Sequence, residues 1–182
     1  MEEVLNDDVL AKQARADPEA FAILYRRYLH QVYSYLLSRV GNIQDAQDLT
    51  AQTFLATLQG LHSYEPRGMF AAWLLSIARR KSMDHFRYTP PMTALDDRDI
   101  AIQPNQFVDV VVLERLQMQE VVTLLEKINP DRAEALRLRY FGGLSFREVA
   151  IAMEKTEGAV KMLVTRALED LRNLLAVREE IS

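Results

Sequence analysis

There is no cysteine in the 182 residues, which excludes disulfides, thiolate catalysis and cysteine-ligated zinc or iron–sulfur sites, and agrees with a reducing compartment. Glycine is sparse, and no glycine-rich loop of the phosphate-cradling kind occurs. Strand signals are missing, because nowhere do β-branched and aromatic residues alternate with polar ones between turn residues. No apolar run approaches the ~20 residues that span a bilayer. The acidic start, MEEVLNDDVLAKQARADPEA, has neither a basic n-region nor an apolar core, so the expectation is a cytoplasmic soluble protein. The histidines His30, His62 and His85 show no metal-ligand spacing, and no nucleophile–base signature accompanies them. The chain therefore reads as a non-enzyme with no metal and no cofactor.

A formal charge of −4 argues against avid unassisted binding to nucleic acid, since non-specific affinity comes mainly from cations that displace counterions on phosphates. The charge is unevenly spread. Acids are dense in the N-terminal segment, in DDRD at 96–99 and near the C-terminal REE, whereas Arg67, Arg79, Arg80, Lys81 and Arg87 cluster with few acids among them. Such a cluster is either a nucleic-acid contact or a solvated helix face.

What the sequence does contain is helix punctuation. Asp17-Pro18 offers an N-cap with proline in the first turn, and Phe21, Leu24, Tyr28, Val32, Tyr35 and Leu36 follow on one stripe that ends near Gly41. Asn42 caps a second helix, with Ala46, Leu49, Phe54, Leu55 and Leu58 apolar and Asp45 and Asp48 near the positive end of its dipole. His62 to Gly68 reads as a loop. A third helix from about Met69 to Arg87 buries Phe70, Trp73, Leu74, Ile77 and Ala78. Periodicity then fails through Pro90, Pro91 and Pro104, as in a linker. It resumes over Val110 to Ile128, and Asn129-Pro130 launches another helix to Tyr140. The expected organisation is all-α: an acidic segment over 1–16, a helical unit over 17–88, a linker over 89–109 and a second unit over 110–178.

The segment GGLSFREVAIAMEKTEGAVKMLVTRAL at 142–168 is the most specific pattern. Ser145 stands three residues before Glu148, the reciprocal capping pair, and Thr156 can cap a following helix. Val149, Ala150 and Met153, then Ala159, Val160 and Leu163, provide the packing positions of a helix-turn-helix or of a plain helical hairpin. As a helix-turn-helix it leaves Thr156, Glu157, Lys161, Met162, Thr165 and Arg166 for DNA.

This segment resembles region 4 of the sigma-70 family, in the small two-domain extracytoplasmic-function (ECF) sigma factors of bacterial RNA polymerase. DPEAFAILYRRYLHQVYSYLLSRV at 17–40 is similar to region 2.1, NIQDAQDLTAQTFLATL at 42–58 to region 2.2, and FAAWLLSIARRKSMDHFR at 70–87 to regions 2.3 and 2.4. The resemblance implies a sigma factor that directs core polymerase to promoters and opens them, with core polymerase and promoter DNA as partners and an anti-sigma protein as regulator. It implies that Asp45, Asp48, Leu49, Gln52 and Phe54 bind core polymerase. It implies minus-ten contacts from Tyr64, Arg67, Arg79, Arg80, Lys81, His85 and Arg87, with Tyr64 the better base contact and Trp73 in the core. The minus-thirty-five element falls to the helix beginning at Glu157. An autonomous regulator that binds operator DNA as a dimer is the alternative. Where this chain has Glu154, the family's turn often has glycine, and a left-handed conformation suits glutamate less well.

Overall fold

The structure, a computed structural model, describes residues 6–88 and 118–181, with side chains to residue 177. The expected linker and the first part of the expected helix from Val110 lie outside the described residues.

All regular structure among the described residues is helical: α1 (Asp7–Gln13), α2 (Pro18–Val40), α3 (Ile43–Gly60), α4 (Phe70–Tyr88), α5 (118–126), α6 (Pro130–Leu136), α7 (Phe146–Met153) and α8 (Glu157–Ile181). The caps fall where the sequence puts them. Asp17, Asn42 and Asn129 each accept backbone N–H bonds through their side chains, and Ser145 and Glu148 form the reciprocal box that starts α7. Each such cap is worth about 1 kcal/mol. Gly41 closes α2 in the left-handed region, at φ 67°. Glu154 closes α7 in the same region, at φ 56° and ψ 44°, so the turn does place a glutamate where glycine costs less.

Two features were not expected. Residues 1–16 read as an acidic segment, yet Asp7–Gln13 forms a helix capped by Asn6, and its Leu10 and Ala11 are fully buried. The helix from Asn129 does not run evenly to Tyr140 either: Arg137–Phe141 widens into a π turn, with the Gly142 N–H donating to the Arg137 carbonyl. A Cβ at Gly142 would stand 2.7 Å from the Leu138 carbonyl oxygen, so only glycine fits that close approach.

α2, α3 and α4 pack together, with α1 lying across α2 and α4. On α3, the core face carries Thr50, Thr53 and Thr57 beside Leu49 and Phe54. The three hydroxyls donate to carbonyls one turn back at 2.6, 2.7 and 2.8 Å, so their burial leaves no polar group unpaired. In the second unit, α6, α7 and α8 close around Leu138, Leu144, Val149 and Val160.

The two units do not stand apart. One continuous apolar core runs from Leu10 to Ala167, α7 packs along α4, and the π turn packs on α2. At the centre of the seam, Glu134 of α6 is only 4% exposed. It accepts the Tyr35 hydroxyl at 2.6 Å and an Arg39 N–H at 2.6 Å, and Arg79 Nε lies 3.4 Å away. Arg137, also buried, donates to the Ser38 carbonyl at 3.1 Å. Burial, with the Glu134 carboxylate beside it, pushes the Tyr35 hydroxyl well above its ordinary pKa. Burial, and then neighbouring Arg39, lowers that of the Arg137 guanidinium.

Candidate nucleic-acid interface

Between the η turn Leu61–Ser63 and α4, the chain makes an open cleft of about 610 Å³. One wall is the loop carrying Ser63, Glu65 and Arg67, another is the α4 face with Trp73, Arg79 and Arg80, and a third is α7, through Ile151 and Glu154. Cations, an indole and a polar loop along one groove are the materials that hold unstacked single-stranded nucleic acid.

Trp73 packs on the core as expected, whereas Tyr64, expected at the surface, is buried beside it. Tyr64 is 5% exposed, its ring set edge-on to Phe70 at 5.4 Å and tilted against Trp73 at 4.7 Å. Its hydroxyl donates to Asp8 at 2.6 Å. Burial first, and then Asp8, raise its pKa, so it stays a neutral donor. It pegs the loop and lines the cleft while almost wholly buried, whereas Trp73 lines the same cleft and is only half-buried.

The expected basic path divides. Arg67, Arg80 and Arg87 are exposed, and Arg67 pairs with Glu65. Arg79 is drawn into the Glu134 cluster, yet its buried Nε makes no hydrogen bond. Lys81 is half-buried one turn from His85, whose Nε2 lies 3.7 Å from Asp45 Oδ2 on α3. The five cations, His85 and Tyr64 therefore do not share a single open face.

On α3, Leu49 and Phe54 are 3% and 5% exposed and belong to the core, so neither is a surface anchor for a partner. The helical period turns them inward with Thr50 and Thr53 and leaves Asp48 and Gln52 outside. The apolar groups that do reach the surface there are Leu55 and Leu58, 57% and 43% exposed, together with Tyr25, which is tilted against Phe54 at 4.7 Å. The amphipathic pattern held the signal for this: Leu55 and Leu58 fall off the stripe set by Ala46, Leu49 and Phe54.

α8 presents its expected residues together. Thr156 caps it by accepting the Ala159 N–H at 3.2 Å, and Glu157, Lys161, Met162, Thr165 and Arg166 are all exposed, while Val160, Val164 and Ala167 face the core. Lys161 pairs with Glu157 at 2.9 Å. α7 braces this helix through the tight turn at Glu154.

Two family models match in chain order: Sigma-70 region 2 over residues 24–89 and Sigma-70, region 4 over residues 118–171. The chain belongs to the sigma-70 family. Among relatives of its ECF group, it is 37% identical over 174 residues to the ECF RNA polymerase sigma factor BldN of Streptomyces coelicolor, a match covering 91% of this chain and 64% of BldN. The fold is that of CnrH, solved in complex with the cytosolic domain of CnrY, at 24% identity and a TM-score of 0.76 over 95% of this chain and 99% of CnrH. It is shared too by the sigma factor RpoE of Bartonella quintana, solved with the anti-sigma factor NepR, at 23% identity and a TM-score of 0.65 over 86% and 97% of the two chains. Among the described residues of this sigma-70 family member, no helix is long and apolar enough to cross a membrane.

Proposed function

We propose that this chain is an alternative sigma factor of the cytoplasm, a binding subunit with no covalent chemistry of its own. It brings core RNA polymerase to particular promoters and traps the opened non-template strand. One observation carries the reading: a single chain holds both an outward helix-turn-helix edge, Thr156 to Arg166, and a cation-bordered cleft between α4 and its preceding loop. The autonomous operator-binding regulator uses the first and leaves the second without a role. Core polymerase docks on the exposed side of α3, where Asp48 and Gln52 ring Leu55 and Leu58 and Asp45 flanks them. The acidic chain then needs little intrinsic DNA affinity, because the polymerase supplies effective concentration.

An anti-sigma protein, such as RpoE binds, is the expected regulator. A second reading, closure of the chain on itself, is favoured by the Glu134 cluster and by α7 walling the cleft. Run-off transcription with purified core polymerase on a promoter library tests the whole assignment. Arg67→Ala/Arg80→Ala impairs strand opening, and Lys161→Ala/Arg166→Ala weakens recruitment. Equal activity of all variants refutes the site assignment, and failure of the wild type to join core polymerase at low salt refutes the function.

A further inference from the structure

The region 2 match begins at residue 24, so α1 lies outside it. Yet four hydrogen bonds tie the N-terminal segment to the loop that borders the cleft. Asp8 Oδ1 accepts the Tyr64 hydroxyl at 2.6 Å, and its Oδ2 accepts the Gly68 N–H at 2.7 Å. Arg15 donates to the Leu61 carbonyl at 3.1 Å and to the Tyr64 carbonyl at 2.8 Å. Gly68 sits at φ 69°, a left-handed conformation that a side chain would strain. One carboxylate thus clasps the peg and the far end of the loop together, and α1 is itself anchored by buried Leu10 and by the bonds from Tyr28 and Arg27 to Asp7. Tyr64 is buried where it lines the cleft, and its neighbours Ser63 and Glu65, with Arg67, line the cleft from exposed positions.

We propose that Asp8 is a positioning residue for base capture: by clasping the Tyr64 hydroxyl and the Gly68 N–H, it fixes the loop that presents Ser63, Glu65 and Arg67 to a flipped non-template base. It thereby sets base preference at one position of the minus-ten element. The proposal rests on the sigma-factor reading. Its physical basis is that a flipped base is selected by polar groups held in place before it arrives, so a loop free to sample other conformations discriminates poorly.

The test uses holoenzyme on forked, pre-melted DNA built from a promoter that the wild type selects from a randomised library, with each base placed in turn at every minus-ten position. Asp8→Ala lowers discrimination at one position by about tenfold, the scale of a lost charge-assisted hydrogen bond, and leaves core affinity and the other positions unchanged. Tyr64→Phe keeps the packed ring and gives the same loss, and the double variant is no worse than either single change. Asp8→Asn, whose amide oxygen still accepts from Gly68 and whose amide N–H can donate to the Tyr64 oxygen, keeps both links and retains most of the preference. Asp8→Ala and Tyr64→Phe discriminating like the wild type, or losing affinity evenly at all positions, overturns the positioning role alone. A wild type that associates with core but shows no preference at any position overturns the sigma-factor reading with it.

Discussion

Replacing Glu134 by glutamine should open the molecule. The carboxylate is buried and faces Arg39 at 2.6 Å and Arg79 at 3.4 Å, with the Tyr35 hydroxyl as its third partner. Removing one member of a buried ionic cluster costs about 3–5 kcal/mol, because the remaining charges lose their compensation. The side chains of Arg39 and Arg79 keep 17% and 29% of their exposure and can turn toward water, so the lower end applies. About 3 kcal/mol at 1.36 kcal/mol per decade shifts the closing equilibrium by roughly 150-fold. The Arg137 bond to Ser38 and the apolar contact of α7 on α4 oppose opening but are not strengthened. The absence of cysteine makes the assay direct: Gln59→Cys and Asn173→Cys, at exposed sites on α3 and α8, carry a dye pair without background labelling. Energy transfer should fall and the radius of gyration should rise in Glu134→Gln, with helical content unchanged, while Glu169→Gln, at an exposed acid, changes neither. Unaltered transfer in Glu134→Gln would refute the argument that this carboxylate holds the seam.

Three further outcomes follow from the geometry. Glu154→Gly removes a left-handed glutamate worth about 1–2 kcal/mol of strain and should raise Tm in a thermal melt by a few degrees; no rise would show that the turn relaxes elsewhere. Burial raises the pKa of Tyr28, Tyr35 and Tyr64, and each faces a carboxylate, namely Asp7, Glu134 and Asp8. The folded chain therefore holds these protons above the unfolded value of about 10, so their contribution is complete below about pH 10 and is lost as pH rises beyond it. The urea midpoint should hold up to about pH 10 and fall as the pH rises beyond it, and Tyr35→Phe should flatten that fall. Leu55→Ser with Leu58→Ser should weaken binding to core polymerase at least tenfold in a pull-down titration with only a small fall in Tm, since Leu55 and Leu58 are 57% and 43% exposed.

What the sequence made legible was local. Capping by Asp17, Asn42, Asn129 and Ser145 is written within three residues of each helix start, and the structure places those starts accordingly. The exposed edge of α8 was legible for the same reason, since its period separates Lys161 and Arg166 from Val160 and Val164. The Glu134 cluster was not. Its bonds join residues 95 and 99 positions apart, and the glutamate of AEALRLRYF gives no sign in the sequence that it faces inward. α1 was missed because seven residues are too few for a period, and the acidic run around Asn6 masked its cap. The burial of Tyr64 was not legible because a loop aromatic reads as exposed until the turn at Leu61–Ser63 sets it against Phe70 and Trp73.

On the proposed function, in which the cleft takes the parted strand and α8 the duplex, the closed seam imposes an order on events at a promoter. The outer edge of α8 is accessible while α7 still lines the cleft, so engagement of intact double helix can come first and capture of a parted strand must wait until the two halves separate.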